Sequence, residues 1–162
     1  DLALRAAEQA FHAQISLENY LSAARLAGEQ WKTRKTALLE YARTTQSYET
    51  QGKIDVFLHE GLIDDAITAL GSYASHTMIA QVVDIAIKER PEWAIQACKK
   101  QAESIMDRGK AQYYQAAANW LAKVRQAYRV LDRDEEWQAY FNEVLKIHGR
   151  KYTLVPLLKA IK

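Results

Sequence analysis

Residues 114–131 read YQAAANWLAKVRQAYRVL. Tyr114, Ala117, Leu121, Val124, Tyr128 and Leu131 recur there in steps of three and four, which gathers them on one stripe of an α-helix. Tyr113 and Trp120 lie one residue off that seam and widen it. A helix apolar over so much of its circumference is either buried between two neighbours or presents a binding face. The same spacing runs through almost the whole chain, without alternating stretches bounded by turn residues, so the fold class is all-α.

Punctuation residues divide this helical pattern. The spacing predicts a first helix from about Leu2 to Gln14, an N-cap at Ser16 with Asn19 in place of a capping-box glutamate, and a second helix to Ala27. Gly28 then leads into a third helix ending near Arg43, and Gly61 separates the fourth from a fifth that closes at Gly71. Ser75 caps a sixth helix, which stops at Arg90 because Pro91 disfavours helical backbone before it while suiting the first turn of a seventh. The seventh ends at Gly109 and the eighth runs from Lys110 to Leu131. Asp132 or Asp134 is expected to cap a ninth helix ending near His148, and a tenth begins near Thr153 with Pro156 in its first turn.

A weak repeat is centred on three of these turns. Ala24, Gly28, Thr33 and Ala37 share their spacing with Phe57, Gly61, Ala66 and Leu70, and with Tyr128, Asp132, Trp137 and Phe141. Over Gly61 to Leu70 this resembles part of a tetratricopeptide repeat, whose full pattern the chain does not carry. Short loops make neighbouring helices antiparallel, and a lone pair cannot cover its apolar stripe. The expectation is therefore a tetratricopeptide-like superhelical stack of about four antiparallel pairs with a helix at each end, forming a single domain over residues 1–162. The end helix Thr153 to Lys162, with Leu154, Val155, Leu157, Leu158 and Ile161, acts as a cap.

The 22 basic and 20 acidic residues give a formal charge of +2, too balanced for a polyanion partner across the whole surface. One cysteine, Cys98, forms no internal disulfide and fits a reducing, cytoplasmic setting; no apolar run is long enough to span a bilayer. Because the chain opens on Asp1, it reads as a fragment of a longer protein.

Residues with chemistry mostly have structural explanations. His12, His59, His76 and His148 fall on different helices without a second ligand at metal spacing, and Cys98, flanked at helical spacing by Ala94 and Ala102, reads as a small core residue. Asp64 and Asp65, and Asp134, Glu135 and Glu136, occupy first turns where negative charge complements the helix dipole. No phosphate loop, serine elbow or paired-histidine helix motif occurs, so no enzyme is expected. After Glu143 every charged residue is basic: Lys146, Arg150, Lys151, Lys159 and Lys162. This excess fits either phosphates and acidic partners or cations gathered at a helix C-terminus. Lys110, Tyr113, Trp120, Arg150, Lys151 and Tyr152 form the candidate binding surface.

One set of residues carries a family likeness. Ala102, Ile105 and Met106 precede Gly109, Lys110, Ala111, Tyr113 and Tyr114; then come Ala117, Trp120, Leu121, Ala127, Tyr128, Trp137, Tyr140 and Leu145; His148, Gly149, Arg150, Lys151, Tyr152, Leu154, Pro156 and Leu157 close the series. Residues 102–158 thereby resemble the C-terminal region of bacterial, cyanobacterial-type SWIM zinc-finger proteins. The resemblance implies a zinc finger upstream in the full-length protein, zinc bound there, and DNA or protein contacted through it. It implies no cofactor in these residues. The leading expectation is a non-catalytic protein-interaction scaffold with a protein partner. A nucleic-acid-associated module using the basic C-terminal segment is the alternative, and an enzyme without a sequence signature the third. Neither a membrane nor a small-molecule substrate is expected.

Overall fold

A computed structural model describes residues 1–48 and 50–161. The described residues form helices and no strand: α1 (Leu2–Ala13), α2 (Leu17–Ala27), α3 (Trp31–Thr44), α4 (Thr50–His59), α5 (Ile63–Leu70), α6 (His76–Glu89), α7 (Pro91–Arg108), α8 (Tyr114–Val130), α9 (Asp134–His148) and α10 (Val155–Lys159). Single 3₁₀ turns, Gly28–Gln30 and Ala111–Tyr113, lead into α3 and α8, so both helices start later than glycine and lysine spacing suggests. The turns expected at Gly28, Gly61, Arg90 and Asp132 all occur.

Local chemistry accounts for most ends. Ser16 sits in extended backbone and its Oγ accepts from the Asn19 N–H at 3.2 Å. The Asn19 side chain does not close a capping box; its Nδ2 donates to the Gln14 carbonyl at 2.9 Å and ties α2 to the end of α1. Ser75 Oγ accepts from the Met78 N–H at 3.2 Å and starts α6. Pro91 occupies the first turn of α7, and Gly109 ends that helix at φ 69°, a left-handed conformation that a Cβ disfavours.

Two expectations at helix ends are corrected. Neither Asp132 nor Asp134 caps α9: Asp132 takes the left-handed turn itself at φ 55°, Arg133 is the N-cap without a side-chain bond, and Asp134 is already helical. The terminal helix is only five residues long, because bonds from Leu154 N to Lys151 O and from Lys151 N to His148 O make a tight turn where a helical start at Thr153 was expected.

The chain divides into two compact units, Asp1–Val82 and Val83–Lys162, with the division inside α6. In the first, α1 packs on α2 and α4 on α5, with α2 touching α3 and α4. Phe11, Tyr20, Leu38, Ile54, Val56 and Phe57 are buried there. Gly52 permits the approach of α4 to the α1–α2 loop: a Cβ on it would stand 1.8 Å from the Ile15 carbonyl oxygen. Between α4 and α6, Gln51 Nε2 and Gln81 Nε2 both donate to Asp55 Oδ1 at 2.8 Å, and Gln51 donates to Gln81 Oε1 at 2.7 Å. Tyr20 donates to Glu60 Oε1 at 2.8 Å and Lys35 pairs with the other oxygen. Burial acts to raise the Glu60 pKa, but these two hydrogen bonds outweigh it and hold the carboxyl below its usual range.

In the second unit α7 and α8 make the most extensive helix–helix approach in the chain, and α9 and α10 each rest on α8. Small residues explain the approach. Ala94, Cys98 and Ala102 on α7 are fully buried, as are Ala117 and Leu121 on α8, and the distance between helix axes is set by what lies at the contact. Burial pushes the Cys98 thiol up to about 12. Leu154 and Leu158 are fully buried around α10, whose end is held by Arg125 donating to the Ile161 carbonyl at 3.0 Å. The tightest pairings are thus α1/α2, α4/α5 and α7/α8, and the turn-centred repeat matches only the second of them.

Candidate binding cleft in the second unit

The six residues read as a surface from the sequence separate into two groups. Lys110 and Arg150 are exposed, Tyr113 is 50% exposed and Tyr152 is 85% exposed. Trp120 and Lys151 belong elsewhere. At 7% exposure Trp120 lies in the core, because the widened seam of α8 is covered by neighbours on both sides, and its place on the surface is corrected. Lys151 turns inward: its ammonium donates to the Met106 carbonyl near the end of α7 and lies 2.9 Å from His148 Nδ1. It is a second donor to a carbonyl that already accepts from the Gly109 N–H at 3.2 Å at the end of α7. That contact ties the turn after α9 to the end of α7. Lys146 and Lys159 are exposed; Lys162 lies outside the described residues.

His148 is buried at 6% exposure and accepts from Lys151 on Nδ1, which leaves the proton on Nε2 facing Asp107 Oδ1 at 3.9 Å. Burial first, and the neighbouring Lys151 second, hold its pKa below the usual histidine value, against the opposite pull of Asp107 and Glu103.

Above this end, a cleft of about 590 Å³ opens between α7 and α9, lined by Ile95, Gln96 and Lys99 from α7, Tyr128 from α8, Arg133, and Tyr140 from α9. The Lys99 ammonium donates to the Tyr128 hydroxyl at 2.8 Å and lies 4.0 Å from the centre of the Tyr140 ring, whose face attracts a cation. Tyr140 in turn donates to Glu103 Oε1 at 3.0 Å, and burial followed by this carboxylate raises its pKa well above the usual tyrosine range. At the rim Arg133 pairs with Glu92 at 3.0 Å and Glu136 at 3.8 Å. Beyond Tyr140 a smaller hollow of about 290 Å³ continues past Glu103, Val144 and Ile147 to His148. The arrangement offers hydrogen-bond donors, an ammonium, aromatic walls and the carboxylates of Glu92 and Glu136: the means to hold a polar group.

None of Gln96, Lys99, Arg133 or Tyr140 stands out in the linear sequence as a site. One signal existed: Glu92, Gln96, Lys99 and Glu103 follow one another in steps of four, three and four, a polar stripe beside the Ala94, Cys98, Ala102 seam. What periodicity does not show is that α9 places Tyr140 opposite that stripe.

The first unit has a shallow hollow of about 710 Å³ lined by Arg43, Thr45, Tyr48, Lys53, Phe57 and Asp65 among others. Asp65 lies in the first turn of α5, as the dipole argument expects, and also receives Arg43 through Nε and Nη2 at 3.0–3.1 Å. Lys53 donates to the Thr45 carbonyl at the end of α3. Both cations of this hollow are thus engaged in helix-end chemistry. Among the described residues no group of three or more His, Cys, Asp or Glu is placed to hold a metal ion, and no helix is long and apolar enough to cross a membrane. No protein family, curated protein or solved structure matches the chain.

Proposed function

We propose that this chain is a non-catalytic protein-interaction scaffold whose second unit presents the α7/α9 cleft to a partner. The observation that carries the reading is the cleft itself, an ammonium on α7 and tyrosine rings on α8 and α9, with α7 and α8 held together by a small-residue seam and α9 resting on α8. Rigid helices are suited to this, since a docking surface that is already ordered loses little entropy on binding. A photo-crosslinking residue in place of Gln96 in living cells is expected to give a discrete adduct with another polypeptide, and the same residue in place of the exposed Glu29 is not. No adduct from position 96 would overturn the reading.

The resemblance over residues 102–158 extends the proposal: the array follows a SWIM zinc finger in a longer protein, with zinc held outside these residues. Metal analysis of the full-length protein and of this segment tests it, zinc being expected only in the former. Continuation of the helix pairs as a tetratricopeptide-like superhelix is also proposed. It predicts a radius of gyration above the roughly 15 Å of a compact domain this long, by solution scattering.

A nucleic-acid reading has one specific support, the exposed Tyr113 and Tyr152 beside the exposed Lys110 and Arg150. Exposed rings flanked by cations suit stacking on single-stranded bases. Binding to an oligonucleotide that weakens steeply between low and physiological salt, and is lost in Arg150→Glu, would favour it.

A further inference from the structure

His148 makes a contact that only its neutral ring can sustain. A lysine ammonium has donors and no acceptor, so the 2.9 Å approach of Lys151 Nζ to His148 Nδ1 requires a lone pair on that nitrogen. The same ammonium donates to the Met106 carbonyl, and the ring is 6% exposed. One buried imidazole thus helps fasten the turn after α9 to the end of α7. A proton added at Nδ1 turns the acceptor into a donor and sets two cations at hydrogen-bond distance, at a ring shielded from water. They do not both stay.

The surrounding charges decide which one moves. Lys151 lies in the turn itself, Asp107 and Glu103 face the ring from α7, and Tyr140 and Glu143 of α9 line the same hollow; among the described residues α8 and α10 add no charged group to this set. An imidazolium is retained by these carboxylates, Asp107 Oδ1 being 3.9 Å from Nε2, whereas Lys151 holds a carbonyl that the Gly109 N–H already serves. Lys151 is therefore the group that leaves. Its backbone N–H donates to the His148 carbonyl at 2.9 Å and its own carbonyl accepts from Leu154 at 2.9 Å, so its departure is felt throughout the turn.

We propose that His148 and Lys151 form a proton-sensitive latch, in which protonation of His148 expels the Lys151 ammonium from the end of α7 and loosens the turn over residues 149–153 while the helices around it stay folded. The latch does not depend on the scaffold reading. Burial and then Lys151 hold the His148 pKa below its usual value, against Asp107 and Glu103, and an opened turn returns the ring toward the ordinary value near 6.5. The closed turn is therefore fully favoured above about pH 6.5 and is lost as pH falls through the closed-state pKa. Linkage fixes the size: opening rises about tenfold for each pH unit separating the two pKa values, and no further.

The test follows amide exchange of the whole chain from about pH 7 to about pH 4.5, corrected for the intrinsic pH dependence of exchange, beside an NMR titration of the His148 ring. The Lys151 and Leu154 amides are expected to open more in acid, in step with the His148 titration, while protection of α7 and α8 changes less. His148→Gln supplies an amide oxygen that accepts from Lys151 and does not titrate, so its turn should stay closed at both ends of the range. Lys151→Met keeps the stem without the charge; it should raise the His148 pKa and shrink the pH dependence of opening, and it serves as the control if His148→Gln does not fold. Equal corrected exchange at the two pH values in the wild type, or an acid-induced rise undiminished in both variants, overturns the latch. So does a rise shared equally by α7 and α8, which would report general unfolding.

Discussion

At the scale of single residues, two positions decide questions that averages over helices hide. Gly52 lies inside α4, where alanine ordinarily stabilises a helix by about 1 kcal/mol. Here the added methyl would sit 1.8 Å from the Ile15 carbonyl oxygen, a backbone atom that moves only with its loop. Overpacking of this kind typically costs about 1–3 kcal/mol, so Gly52→Ala is expected to be net destabilising by about 2 kcal/mol. Denaturant unfolding followed by circular dichroism checks the sign, and an unchanged or raised midpoint would refute the close approach. His148 makes a prediction about pH. Its folded pKa lies below the unfolded value near 6.5, so the unfolded chain binds the extra proton first. The contribution of neutral His148 is therefore complete above about pH 6.5 and is lost as pH falls through the folded pKa. Between pH 7 and 5 the wild type should lose more stability than His148→Gln, in melts of the two proteins side by side.

Elements show which parts of the architecture are local and which are not. Turns at Gly28, Gly61, Pro91 and Gly109 were legible because each depends on one residue's backbone preference. The pairing of α7 with α8 was not read as the dominant contact, although Ala94, Cys98 and Ala102 already marked a narrow face; the repeat pattern draws attention to turns, whereas packing follows side-chain volume. The missed cap on α9 has a similar cause, since Asp132 is consumed by the left-handed turn. The cleft was invisible for a deeper reason: Lys99 and Tyr140 are far apart in sequence and no periodicity links them. Two element-scale outcomes follow from burial. Trp120→Ala should cost about 3–5 kcal/mol, because an indole 7% exposed leaves a cavity when truncated. Leu158→Ala should cost about 2–4 kcal/mol and should speed amide exchange over residues 155–161, where α10 otherwise stays docked on α8. Equal exchange in wild type and variant would mean that the terminal helix is not held by this side chain.

For the whole molecule, the separation into two compact units inside α6 gives that helix a double membership: Val82 closes one unit, Val83 opens the other, and both are fully buried. Halves made for separate study therefore need all of α6 on each side. The small-residue seam of the second unit also supplies its own reporter. The chain has one thiol, fully buried and with its ionisation pushed up to about 12, whereas an unfolded cysteine ionises near 8.5. An alkylating reagent at pH 8 should label denatured protein within minutes and native protein about a thousandfold or more slowly. Labelling at the native rate is then a clock for how often α7 and α8 part. A ligand seated in the cleft beside them would slow that clock without touching Cys98, which makes a buried thiol the means of hearing whether the cleft is occupied.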